Sequence, residues 1–99
     1  MLLNKSTTID IEAVMCFKLV NGDEMIAKVV DVNADEVTVS KPLTLIPSPQ
    51  GMAMVQSLFA ANLDKPIPIR RSNIMMYGYP REDVEKGYLE TTSGIQLVR

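Results

Sequence analysis

Between residues 9 and 19 every odd position is apolar: Ile9, Ile11, Ala13, Met15, Phe17 and Leu19. A period of two commits a chain to extended backbone with one buried face, because successive side chains of a strand point to opposite sides. The even face is mixed, with Asp10 and Glu12 first and Val14, Cys16, Lys18 and Val20 after them. The far end of this strand is therefore expected to be covered on both sides, as in a strongly curved sheet. Asn21-Gly22 follows, and then "MIAKVVDV" at 25–32. Asn-Gly between two apolar runs predicts a hairpin closed by a type I′ turn, with positive φ at both residues.

The rest of the chain reads as more short strands. "NADE" (33–36) predicts a turn, with Asn33 and Asp35 suited to side-chain-to-backbone hydrogen bonds. "VTVSKPLTLI" (37–46) reads as a third strand with Val37, Val39, Leu43 and Leu45 on one face. Pro42 lacks a donor N–H, so it implies an edge position or a bulge. "PSPQG" (47–51) has the composition of a loop. In 52–62 the composition favours helix, yet both period-two sets are largely apolar, and a strand buried on both faces is the preferred reading. Ser72-Asn73 forms a short turn before "IMMYGY". After Pro80, "REDVEKGYLETT" reads as a short helix with acids in its first turn and Val84 and Tyr88 on one face, although Gly87 lowers its propensity. "SGIQLVR" is either a last extended piece or a loose tail. The expectation is an all-β domain with that short helix: one unit over 1–99, with its core in 9–79 and an extension over 80–99.

Composition narrows the function classes. Ten basic and twelve acidic residues give a net charge of −2, so a nucleic-acid role must be local rather than a general basic coat. The chain has no histidine and one cysteine. A His/Cys metal cluster is excluded, and so is the commonest general base. No phosphate-binding glycine loop or nucleophile elbow is present. These absences argue against an enzyme and imply no cofactor. Cys16 alone permits no disulfide within the chain and suits a reducing compartment. No apolar run reaches the ~20 residues of a membrane span, and "MLLNKSTTID" is too short in apolar residues for a signal peptide. A soluble, cytoplasmic protein without a membrane role is expected.

Two stretches carry a family resemblance. "FKLVNGDEMIAKVVDVN" (17–33) resembles the first motif of the Sm-like (LSm) family, which includes the bacterial RNA chaperone Hfq. "IRRSNI" (69–74) resembles the second, whose common form is Ile-Arg-Gly, a polar pair and an apolar residue. In style the chain is nearest to the short Sm-like proteins of cyanophages. The resemblance implies a small, strongly bent, five-stranded antiparallel barrel whose subunits join edge to edge into a homo-oligomeric ring of five to seven copies. It also implies that the turns of both motifs face the pore and bind single-stranded RNA, in an RNA-chaperone or RNA-processing accessory role. Carried over by position, Arg70 is the motif arginine and Ser72 the polar residue after it. Asp35 or Glu36 takes the stacking position, and Thr38 takes the asparagine position. Arg71 replaces the family's glycine, Ala27 the glycine of the second strand, and Asn33 the aspartate of the first motif. Whether Arg71 faces the pore stays open.

Edge pairing has independent support from the residues. "IMMY" and "MAMVQSLFA" are apolar on both faces and lack the charges that blunt exposed edges; the alternative is that they pair within one closed barrel. Two further readings compete on function. Asp31, Asp35, Glu36 and the absence of an aromatic suit an Sm-fold scaffold that has lost RNA binding and holds a basic protein partner. An unrelated small β domain would leave Arg70 and Arg71 as solvated turn residues, paired with Asp64 or Glu82.

Overall fold

The computed structural model describes residues 8–97, the side chains of 94–97 excepted. Six strands form one antiparallel sheet, followed by a helix: β1 (Val14–Leu19), β2 (Glu24–Val32), β3 (Glu36–Ser48), β4 (Gly51–Gln56), β5 (Ile67–Arg70), β6 (Ile74–Gly78) and α1 (Glu82–Leu97). The sheet runs β4-β3-β2-β1-β6, and β5 pairs with β3. β3 is long enough to hold both, with 36–39 against β5 and 43–48 against β4. One strand more is present than the five read from the sequence, because the chain leaves the sheet at 57–66 and returns.

The first apolar alternation is half strand. β1 begins only at Val14; residues 11 and 12 form a turn, and Glu12 takes φ +77°. The segment still borders β2, through Glu12 N–H to Val29 O at 2.8 Å and Val29 N–H to Ala13 O at 2.9 Å. The hairpin at Asn21-Gly22 is present, but its turn is not type I′. Gly22 N–H donates to Leu19 O at 2.9 Å, and Leu19 N–H to Asp23 O at 2.9 Å. Only Gly22, at φ +97°, is left-handed. This is the three-residue hairpin loop in which a glycine supplies the bulge, so Asn21 keeps ordinary backbone.

Pro42 marks a bulge, not an edge. Ile26 pairs with Leu43 and Lys28 with Ser40, so two residues of β2 span three of β3, and Lys41 takes φ +49° there. An extra residue reverses the side-chain parity of everything after it. Val37 and Val39 therefore join Met15, Phe17, Met25, Ala27 and Val29 in one core, while Leu43 and Leu45 join Ile26 and Tyr88 in another. The expectation of all four on one face is corrected. β3 also runs through Pro47, and what read as a loop at 47–51 is a tight turn with Ser48 opposite Gly51 at φ +123°. The strand reading of 52–62 holds through Gln56, but no residue of β4 is buried, so the expected burial on both faces is corrected; beyond Gln56 the chain makes turns and bends.

The second core is closed by α1, which is longer than the sequence suggested: "SGIQL" continues the helix, and residues 98 and 99 lie outside the described residues. The signal-peptide reading likewise fell mostly on residues 1–7, outside the described chain. Val84 and Tyr88, one turn apart, face Ile26, Leu43, Leu45, Val14, Cys16 and Met54. Tyr88 is 2% exposed, and its hydroxyl lies 3.1 Å from Ser40 O and 3.0 Å from Lys41 O. The helix thus supplies a donor at the bulge, where the ladder is locally disrupted. Glu82, Asp83 and Glu85 sit at the positive end of the helix dipole, and Arg81 grips Asp83 through two 3.2 Å contacts that hold its carboxyl below the usual range. Among the described residues no helix is long and apolar enough to cross a membrane.

Two outcomes follow from this packing. A Cβ at Gly87 would stand 3.5 Å from Met54 Cε, an ordinary contact, so Gly87→Ala should stabilise by about 0.5–1 kcal/mol in urea denaturation. Burial pushes the Tyr88 hydroxyl from 10.0 up to about 12. The folded state holds that proton more tightly, so the contribution is full below pH 10 and lost as pH rises toward 12. Thermal melts across that window should fall more steeply for the wild type than for Tyr88→Phe; parallel slopes would refute the assignment.

Candidate functional site

The two motif turns, far apart in sequence, meet at one end of the sheet. Asn33 builds the first: its Oδ1 accepts the backbone N–H groups of Asp35 and Glu36, both at 2.8 Å, and its own N–H donates to Glu36 O at 2.9 Å. This is the local bonding that favours asparagine in turns, and it fixes the backbone of Asp35 and Glu36. The second turn is one short 3-10 stretch, Arg71–Asn73. The β3–β5 ladder brings the two together, with Glu36 opposite Arg70, Val37 opposite Ile69 and Thr38 opposite Pro68. A third turn joins them, since Val20 N–H, at the β1–β2 hairpin, donates to Asn73 O at 2.8 Å.

The adjacent arginines divide their labour. Arg71 N–H donates to Asp35 O at 2.9 Å, and Arg71 Nη1 donates to Asn33 O at 3.3 Å. Half-buried Arg71 is thus a clamp between the turns. It can replace a glycine because its backbone is not left-handed; among the described non-glycine residues only Glu12 and Lys41 have positive φ. Arg70 is exposed, and among the described residues its guanidinium makes no hydrogen bond or ion pair. Neither arginine pairs with Asp64 or Glu82; among the described residues the ion pairs are Lys28–Glu12 and Arg81–Asp83, both elsewhere.

The other sequence candidates distribute unevenly. Val37 and Val39 face the core, so Glu36 and Thr38 alternate onto the opposite, outer side of β3. Glu36 and Arg70 are direct cross-strand partners on that side, at the spacing where opposite charges favour pairing. Ser72 and Asp35 are exposed in their turns. Thr38 lies one strand repeat beyond Glu36, opposite Pro68, outside the turns themselves. No aromatic residue occupies 33–36 or 70–73. The end therefore offers one uncommitted cation, two nearby carboxylates and a set of backbone-rigid turns. Arg71 is the residue whose role the sequence left open. Its signal was the second arginine itself, a bulky side chain where a glycine was expected.

Among the described residues the ladders pair β4 and β5 only with β3, and β6 only with β1. β4 and β6 contain no charged residue, and Met52, Met75 and Met76 are exposed on them, whereas β5 ends in Arg70.

Comparison of the chain with protein-family models and with curated proteins finds no match.

Removing each arginine separates the two roles. Arg71→Ala should cost about 0.5–1.5 kcal/mol for the lost tie, whereas Arg70→Ala should change stability by less than about 0.5 kcal/mol. Equal urea midpoints for the two variants would show that Arg71 is not a clamp.

Proposed function

We propose that this chain is an Sm-like protein that assembles edge to edge into a closed ring and holds single-stranded RNA at the turn end. One observation carries the reading: the two motif turns meet, Arg71 locks them, and Arg70 is left projecting without a partner among the described residues. A guanidinium stacks on a base and hydrogen-bonds phosphate in the same pose. Repeated around a symmetry axis, one Arg70 per subunit becomes a collar of positive charge that a chain of net charge −2 does not carry singly. The uncharged edges of β4 and β6 support the assembly, because bare apolar edges pair with another chain or aggregate. They are two different surfaces, so their pairing is heterologous, and it closes into a ring when the rotation per subunit allows. The bulges between β2 and β3 permit the bending that a small barrel needs. The role is that of an RNA chaperone or processing accessory in the cytoplasm, of the kind carried by phages.

A second reading is favoured by the carboxylates. Asp31 and Asp35 are exposed and Glu36 faces outward beside Arg70. Such a surface repels phosphates and attracts a basic protein, so a ring-shaped protein scaffold remains the competing function.

Solution mass by light scattering tests the assembly: five to seven copies of an 11.0 kDa chain would run at about 55 to 77 kDa. A monomer would withdraw both readings. Fluorescence anisotropy with hexauridylate and hexaadenylate then separates them. RNA binding should weaken with added salt through counterion release and be largely lost in Arg70→Ala; a ring indifferent to both oligomers would leave the scaffold.

A further inference from the structure

The turn end provides a cation but no flat surface, so a nucleotide held by Arg70 needs another place for its base. A cleft of about 450 Å³ opens beside Arg70, within the size range of small-ligand pockets. It exists because β4 stops at Gln56 and 57–66 leaves the sheet before β5, so the neighbours of β3 change at the bulge. Leu19, Met25, Ile67 and Ile69 give it apolar walls. Thr44 and Ser57 add a hydroxyl pair, their oxygens 2.9 Å apart. Asn73 and Arg70 also line it. Its single acidic lining residue, Asp23, is held by Asn21, whose Nδ2 donates to Oδ2 at 3.2 Å and whose Oδ1 accepts the Asp23 N–H at 3.0 Å.

Resting on the RNA-binding reading, we infer that this cleft is a base-binding subsite for single-stranded nucleic acid. Apolar side chains enclose one nucleobase, as they do where bases leave a stack. The Thr44 and Ser57 hydroxyls meet its polar edge, and Arg70 takes the adjoining phosphate. The chemistry selects a nucleotide within a strand. One guanidinium matches one phosphodiester charge and falls short of a free triphosphate, and apolar walls suit a base better than a sugar. Hydroxyls both donate and accept, so the subsite accepts more than one base.

Binding of labelled hexauridylate and hexaadenylate to the full chain tests this, using Ser57→Phe to fill the cleft and Thr44→Val to remove one hydroxyl. Filling the cleft removes the base contact, so Ser57→Phe should weaken binding about fivefold or more with no change in solution mass. Thr44→Val should lose less. Tight binding by Ser57→Phe would overturn the cleft and leave the RNA reading standing, while failure of the wild type to bind either oligomer would remove both. Should Ser57→Phe not fold, amide shifts of the wild type with uridine 5′-monophosphate decide. Changes at Leu19, Ser57 and Ile67 support the subsite, and changes confined to 33–36 and 70–72 overturn it.

Discussion

The bulge at Lys41-Pro42 is the constraint on which the rest of this structure depends. One extra residue in β3 sends Val37 and Val39 to one core and Leu43 and Leu45 to the other. Without it, β3 would present a single apolar face, and the helix would have no apolar surface of β3 to cover. With it, one strand serves two layers, and a chain with few large aromatics gains two compact cores instead of one thin one. Proline suits the position because a bulge is where a strand can spare a ladder N–H. Tyr88 then completes the arrangement from outside, placing its hydroxyl against the Ser40 and Lys41 carbonyls. Bulge and helix are therefore one device in two parts.

At the other end of β3 the same strand organises the candidate site. Its first residue, Glu36, belongs both to the Asn33-capped turn and to the ladder with β5. The position of Arg70 is thus set by strand pairing, and only the neighbouring Arg71 is fixed by its own side chain. The backbone that carries Arg70 is held by the ladder, while its side chain keeps its rotamer freedom until it meets a partner.

Much of the sheet was legible in the sequence, for reasons that can be traced to particular residues. The hairpin followed from Asn21-Gly22 between alternating runs, β2 from 25–32, the turn at 33–36 from Asn33, and the helix face from Val84 and Tyr88. What escaped depended on long-range context. The parity flip in β3 needed the register of β2, which Pro42 signals but does not determine. The loop type at Gly22 turned on a single φ angle. The helix continues from Thr92 through Leu97, the stretch read as an extended piece or a tail. Arg70, Asp35 and Glu36 were singled out by position in two stretches, whereas the division between Arg70 and Arg71 required knowing which carbonyls lay within reach.

The tie from Arg71 to Asn33 also has a kinetic side. Its ends are separated by 38 residues, and closing a flexible loop of that length costs roughly 3 kcal/mol in chain entropy before any constant is added. A single exposed hydrogen bond returns less than that. The two motif turns therefore cannot find each other first and organise the fold around them. They are delivered to each other once Ile67 and Ile69 have docked on the core beside Val37 and Val39, which makes the turn end a late product of folding and ties its order to the packing of two isoleucines.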